Sequence, residues 1–284
     1  MGSRTDDRLQ NGPCDEGVRA ARALAARGAT AEAIARCTET LRVCPAMADA
    51  IRLRGHIHLA DGRTAEALSD LQEVVRLQPS HAEVLFEFGS ASVRAGHLDG
   101  ALDAFERCLT LDPCAAQALA SRAFVLSRLQ RYNEALGDIT RAVELRPEND
   151  TDRHNRAVVL TALGRYAGAI RDYEHALEIN PASGGTHNNL AWLLATSPDP
   201  LVRDGSRAVT HARRALEIGE IAAWMDTLAA ALAESGKYEQ AVQAGMRAYE
   251  MSQPSNESFR RRAEIYRKNM SYAQWRRSKE DDGR

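Results

Sequence analysis

Two polar pairs 34 positions apart, His154-Asn155 and Asn188-Asn189, are the first groups in this 284-residue chain whose types and spacing suggest chemistry. An Asn amide offers donors and an acceptor together, so it can pair with a peptide backbone whatever side chains that peptide carries. An amide satisfied by solvent or by a nearby helix end is the alternative, and the spacing leaves it open. Arg94 and Arg128 repeat the interval, with Arg52 further toward the N-terminus. Guanidinium groups in line can hold a carboxylate or a phosphate. Glu83 and Glu87 are close by, however, and an internal ion-pair network is the favoured reading.

Catalysis finds little support. There is no P-loop, GxSxG, HExxH or dinucleotide fingerprint. A pairing of His154 with Asp226 would need a nucleophile within hydrogen-bond reach, and nothing indicates one. His56 and His154 read as polar residues of a binding surface rather than as ligands. Five cysteines, Cys14, Cys37, Cys44, Cys108 and Cys114, form no CxxC pattern and no zinc motif. Reduced thiols in a cytoplasmic protein are the economical expectation, with Cys37 and Cys108 as small core residues. The expectation is a chain that is not an enzyme, with no cofactor and no metal.

The elements that position these groups follow from a period. Prolines stand at Pro45, Pro79, Pro113, Pro147 and Pro181, each 34 after the last. Ala33, Ala67, Ala101, Ala135 and Ala169 keep phase with them, as do Gly28, Gly62, Gly96 and Gly164, with Gln130 in the place of the missing glycine. Between these marks, "IRLRGHIHLADG" and "TAEALSDLQEVVRLQP" carry apolar residues three and four apart, the pattern of two amphipathic helices joined at Gly62. Proline closes the second helix and opens the next unit. One such hairpin buries too little apolar surface alone, so the hairpins must stack. Aromatic residues at 5% and an abundance of Ala, Leu and Arg agree with close-packed helices.

In period and in its Gly, Ala and Pro marks the chain resembles the tetratricopeptide repeat (TPR) family. "NLAWLLATSPDPLVRDG" is similar to a variant found near the end of bacterial arrays, which implies a bacterial source and transfers no chemistry. The expected fold is all-α, a right-handed α-solenoid of antiparallel helix pairs with a C-terminal capping helix. Seven units are expected over 14–254: 14–47, 48–81, 82–115, 116–149, 150–183, 184–221 with an insertion near 196–205, and 222–254. A disordered stretch, 1–13, precedes them. A capping helix over 255–275 and a flexible tail over 276–284 follow.

The resemblance also implies a function, since TPR arrays bind partners in a concave groove lined by the first helix of each unit. By register that groove would carry Arg52, His56, Phe86, Ser90, Arg94, Phe124 and Arg128. Farther along it would carry His154, Asn155, Asn188, Asn189, Trp192 and Asp226. Phe86, Phe124 and Trp192 would be interface anchors if exposed there, and core filler if curvature buries them. The dicarboxylate clamp of chaperone-binding members does not fit, because the positions that want Lys hold Val18, Arg52, Phe86, Ala120, His154 and Asn188.

The expected role is a noncatalytic scaffold or adaptor for an extended peptide or a partner helix. The alternative is a self-assembly module acting through the terminal repeats and cap helix, with an enzyme or an anionic-surface binder ranked lower. Formal net charge is −2, so nucleic acid is not an expected partner. The last 31 residues nevertheless hold nine Lys and Arg against five Asp and Glu, most simply a solvated helix face. No stretch reads as a membrane span or export signal, and the oligomeric state is not indicated.

Overall fold

The computed structural model describes residues 12–252 and 256–282, and every regular element among them is an α-helix. Two compact units divide the chain, 1–145 and 146–284. The first contains α1 (Gly12–Ala26), α2 (Thr30–Val43), α3 (Ala48–Ala60), α4 (Thr64–Leu77), α5 (Ala82–Arg94), α6 (Leu98–Leu111), α7 (Ala116–Arg128) and α8 (Tyr132–Leu145). The second contains α9 (Asp150–Ala162), α10 (Tyr166–Ile179), α11 (Gly184–Thr196), α12 (Gly205–Ile218), α13 (Ala222–Glu234), α14 (Tyr238–Met251), α15 (Glu257–Arg267) and α16 (Tyr272–Asp282).

Consecutive helices pair as hairpins, and small residues let their axes approach. Ala33, Ala67, Ala101, Ala135, Ala169, Ala208 and Ala241 on the even helices are all 0% exposed. Opposite them stand Ala21, Gly55, Gly89, Ala123, Ala157, Ala191 and Ala229 on the odd ones. A methyl group on Gly89 would fall 2.6 Å from the fully buried Phe105 ring, so this crossing requires glycine. The hairpin turns take a left-handed residue with φ between 71° and 78° at Gly28, Gly62, Gly96, Gly164 and Gly236. Gln130 adopts the same conformation at φ 60° without glycine's freedom.

Polar cross-links recur along with the apolar packing. Arg54, Arg122 and Arg156 each reach 16 residues ahead to Asp70, Asp138 and Asp172, with two hydrogen bonds apiece of 2.6 to 2.9 Å. All three pairs join the two helices of one hairpin. In the third hairpin Phe88 and Ala104 hold the equivalent places.

Within each unit, odd helices touch one another: α1 with α3 and α5 with α7 in the first, α9 with α11, α11 with α13 and α13 with α15 in the second. Even helices pack on their odd neighbours and form no comparable row among the described residues. The odd helices therefore make the inner wall of each α-solenoid stack.

Three expectations need correcting. Cys14 and Cys44 form a disulfide, against the expectation of reduced thiols. The hairpin brings the first turn of α1 beside the residue that ends α2, a proximity that no sequence spacing of cysteines announces. Thiol usage therefore no longer argues for a reducing compartment. Cys37 and Cys108 are buried and free, and burial pushes the Cys37 thiol up to about 11.

The single capping helix over 255–275 is two helices, and 276–282 of the expected flexible tail belongs to the second of them. Asn269, at φ 55°, breaks the chain's course after α15. Ser271 and Gln274 then exchange hydrogen bonds, backbone N–H to side-chain oxygen in each direction at 2.8 and 3.3 Å, and this reciprocal cap starts α16. Of the expected disordered stretch, residues 1–11 lie outside the described residues, while Gly12 and Pro13 already belong to α1. The insertion is the segment 197–204, closed by Arg203, which donates to the Ser197 carbonyl at 3.0 Å and to Glu234 at 2.8 Å.

Candidate functional site

The inner wall of the first unit starts with a closed polar group. Arg52 Nε donates to Glu87 at 2.7 Å, and its Nη2 reaches Glu83 at 2.6 Å and the second Glu87 oxygen as well. His56 Nε2 lies 3.0 Å from Glu87. Burial works against the Glu87 carboxylate, but hydrogen bonds from His56 and Arg52 outweigh it and leave its pKa below the ordinary range. Arg52 is raised, chiefly by its bond to Glu87. This cluster has little capacity left for a ligand.

Arg94 and Arg128 do not act together. Arg94 donates to the Leu59 carbonyl at 2.9 Å and so covers the C-terminal end of α3. Arg128 lies over the Phe124 ring, 6.0 Å from its centroid. Phe86 is half-buried and tilts against Phe105 at 5.9 Å, part of the cluster with Ala101 and Val125. Ser90 donates to the Phe86 carbonyl of its own helix. Phe124, by contrast, is 44% exposed.

In the second unit most of the candidate residues join a buried network. Asn189 Nδ2 lies 3.4 Å from His154 Nε2, and His154 Nδ1 lies 2.9 Å from the Thr186 hydroxyl. Burial lowers the His154 pKa, against an opposing pull from Asp150, which suits a neutral ring. Tyr173 meets His154 in a T-shaped ring contact at 5.6 Å; burial pushes its pKa up to about 12, against opposing influences from Thr161 and Asn189. Asn188 donates to Asn189 at 3.3 Å, while its own Oδ1 is buried and accepts no hydrogen bond among the described residues. The half-buried side-chain amide of Asn155 has no hydrogen-bond partner among the described residues, so Asn155 and Asn189, one period apart, are in unlike states.

Asp226 is buried and held by Arg262 through two bonds of 2.9 and 2.8 Å. Burial raises its carboxyl pKa and Arg262 opposes the rise. His154 and Asp226 thus have separate partners. Trp192 is half-buried, with the Arg262 guanidinium 5.8 Å from its ring and Tyr272 at 5.9 Å.

Register missed Arg262, Tyr272 and Trp275, because they belong to helices beyond the last regular repeat. It also missed the His187–His211 contact between α11 and α12, Nδ1 to Nδ1 at 2.9 Å. Among the described residues, no three His, Cys, Asp or Glu side chains are placed to hold a metal ion, and no helix is long and apolar enough to cross a membrane.

Comparison with known proteins agrees with the hairpin geometry. A family model described as tetratricopeptide repeat matches residues 6–82 and 52–118, and a second model of that description matches 153–183. No curated protein matches the chain in sequence. Among solved structures, the chain is similar to a tetratricopeptide repeat protein from Parabacteroides merdae, with 17% identity and a TM-score of 0.69 over 89% of this chain and 98% of that one. It is also similar to Pseudomonas aeruginosa pilF, with 19% identity and a TM-score of 0.63 over 75% and 95% of the two chains. A third likeness is to YrrB, a TPR protein with an unusual peptide-binding site, with 17% identity and a TM-score of 0.56 over 65% and 96%. Identities of this size speak to the fold alone. Repeating hairpins, their shared period and the family matches lead to one conclusion: the chain belongs to the tetratricopeptide repeat family.

Proposed function

We propose that this protein is a noncatalytic interaction scaffold, an adaptor whose odd-helix walls receive a polypeptide partner. The observation that carries this reading is Phe124. It is the one aromatic among the large apolar side chains left exposed in the described residues. It lies on α7, an inner-wall helix, beneath the guanidinium of Arg128. An exposed ring with a cation over it is the usual make-up of an interface anchor. Asn155 adds a half-buried amide without an internal partner, able to pair with a peptide backbone. The peptide-binding site named for YrrB belongs to that protein, and the likeness in fold supports testing this chain for peptide binding.

The test is a selection of displayed random peptides on the wild-type protein, followed by titration of enriched sequences against Phe124→Ala and Asn155→Ala. As a residue 44% exposed, Phe124 has about 90 Å² still to bury. At ~25 cal/mol per Å² that is about 2 kcal/mol, so Phe124→Ala should weaken binding roughly 30-fold. Selection that enriches nothing, or peptides that bind both variants as well as wild type, would remove the reading.

A further inference from the structure

The last helix of the second unit lies where a ligand of the inner wall would lie. In a continuing array, the helix after α15 would fold back along α15 as its hairpin partner. Instead α16 packs on three odd helices together, α11, α13 and α15. Asn269 redirects the chain and the Ser271–Gln274 cap begins the helix at that point, so the placement is specified locally.

The contact consists of a host and a guest. Trp192 on α11 and Arg262 on α15 form the host, with Arg262 anchored by the buried Asp226 on α13. Tyr272 and Trp275, three residues apart on α16, form the guest. The Tyr272 ring lies 5.9 Å from Trp192, and Trp275 stacks on Tyr272 at 5.7 Å. The Arg262 guanidinium is 5.8 Å from the Trp192 ring and 5.9 Å from that of Tyr272, shared between wall and occupant. Ala273 is buried beside them, whereas Arg276, Arg277, Lys279 and Glu280 are exposed. The ring contacts of the helix with the wall thus all come from its first turn. A terminal helix whose later turns carry exposed charged side chains opens locally at a lower free energy than the stack beneath it.

We propose that α16 is a resident ligand of the second unit's inner wall. A partner helix presenting two aromatic residues three apart on one face gains entry by displacing it. This rests on the reading that odd-helix walls receive polypeptide, but it concerns residues of the other unit, so the Phe124 selection can succeed where this fails and the reverse. The tether keeps α16 at high effective concentration, so the wall is closed to weak competitors and opens to helices that bind it better.

The experiment uses the full chain and, as probe, a fluorescent peptide with the sequence of residues 268–284. Wild type is compared with the double variant Tyr272→Ala, Trp275→Ala by anisotropy titration. The variant should take up the probe with a midpoint at least tenfold lower than wild type, and adding Trp192→Ala should abolish that uptake. Hydrogen exchange on the same samples should show protection lost in α16 and kept in α11 and α13. Equal uptake by both proteins, or no uptake by a variant whose α11 and α13 stay protected, overturns the proposal. Loss of protection in α11 and α13 also overturns it, since α16 would then be part of the core.

Discussion

Replacing Asp172 by Ala should destabilise the second unit by about 3 kcal/mol, near the lower end of what losing one partner of a buried ion pair costs. Arg156 gives Asp172 two hydrogen bonds of 2.7 and 2.6 Å, and the Asp172 side chain is 8% exposed against 21% for Arg156. Each charge-assisted bond contributes ~1.5–3 kcal/mol, and partial access of water to the guanidinium softens the loss. The reverse change, Arg156→Phe, strands a buried carboxylate and should cost at least as much, about 3–4 kcal/mol. The third hairpin uses Phe88 and Ala104 in these two places, so the chain itself supplies an apolar solution. The double variant Arg156→Phe, Asp172→Ala should therefore lose only ~1–2 kcal/mol, a coupling of about 5 kcal/mol across the cycle. Urea unfolding of the four proteins gives the energies, and native-state hydrogen exchange of α9 and α10 assigns them to the hairpin. If Asp172→Ala costs less than about 0.5 kcal/mol, or if the two single losses simply add, the pair does not hold the hairpin as argued.

Three other perturbations follow from the structure. His154, His187 and His211 in the second unit all have pKa values lowered chiefly by burial, His211 from 6.5 to about 4 with help from the charges of His187 and Arg207. A histidine lowered on folding contributes stability that is intact above its unfolded pKa and is lost as pH falls below it. His211 alone should then cost ~1 kcal/mol between about pH 7.5 and about 5.5, after discounting for solvent screening. Thermal unfolding followed by the fluorescence of Trp192, Trp224 and Trp275 should show the decline, and a flat profile would mean that the three rings titrate alike in the folded and unfolded chain. Gln130→Gly should stabilise the fourth hairpin by ~0.5 kcal/mol, the left-handed penalty exceeding glycine's entropy loss, whereas Gly62→Ala should destabilise the second by about 1 kcal/mol. Melting curves that move in the opposite directions would show that these turns are not held left-handed in solution.

The hairpins were legible because their marks are local. Proline ends a helix wherever it stands, and a small residue facing a small residue needs no knowledge of the rest of the chain. Even Gln130, the one break in the glycine series, marked a turn that kept its conformation. The Arg–Asp pairs are equally present in sequence, as Arg followed by Asp 16 residues later in three units, but only the folded hairpin sets the two charges side by side. The candidate site was less legible, since register places a side chain on a face and does not supply its partner. Arg52, His154, Asn189 and Asp226 lie on inner-wall helices, yet each is engaged by groups from the neighbouring hairpin or from the C-terminal helices. Trp192 is the clearest case, because Tyr272 lies 80 residues away and outside the period. The Cys14–Cys44 link escaped for the same reason: only the folded hairpin makes its two open ends neighbours.

That link has a consequence for how the first hairpin fails. Its turn, Arg27 to Ala29, is the exposed tip of a covalent ring whose other side is the disulfide. A protease that nicks the chain after Arg27 therefore severs the backbone without freeing α1. The clipped molecule migrates as one species until a thiol reagent is added, and only then does the N-terminal fragment part from the remainder.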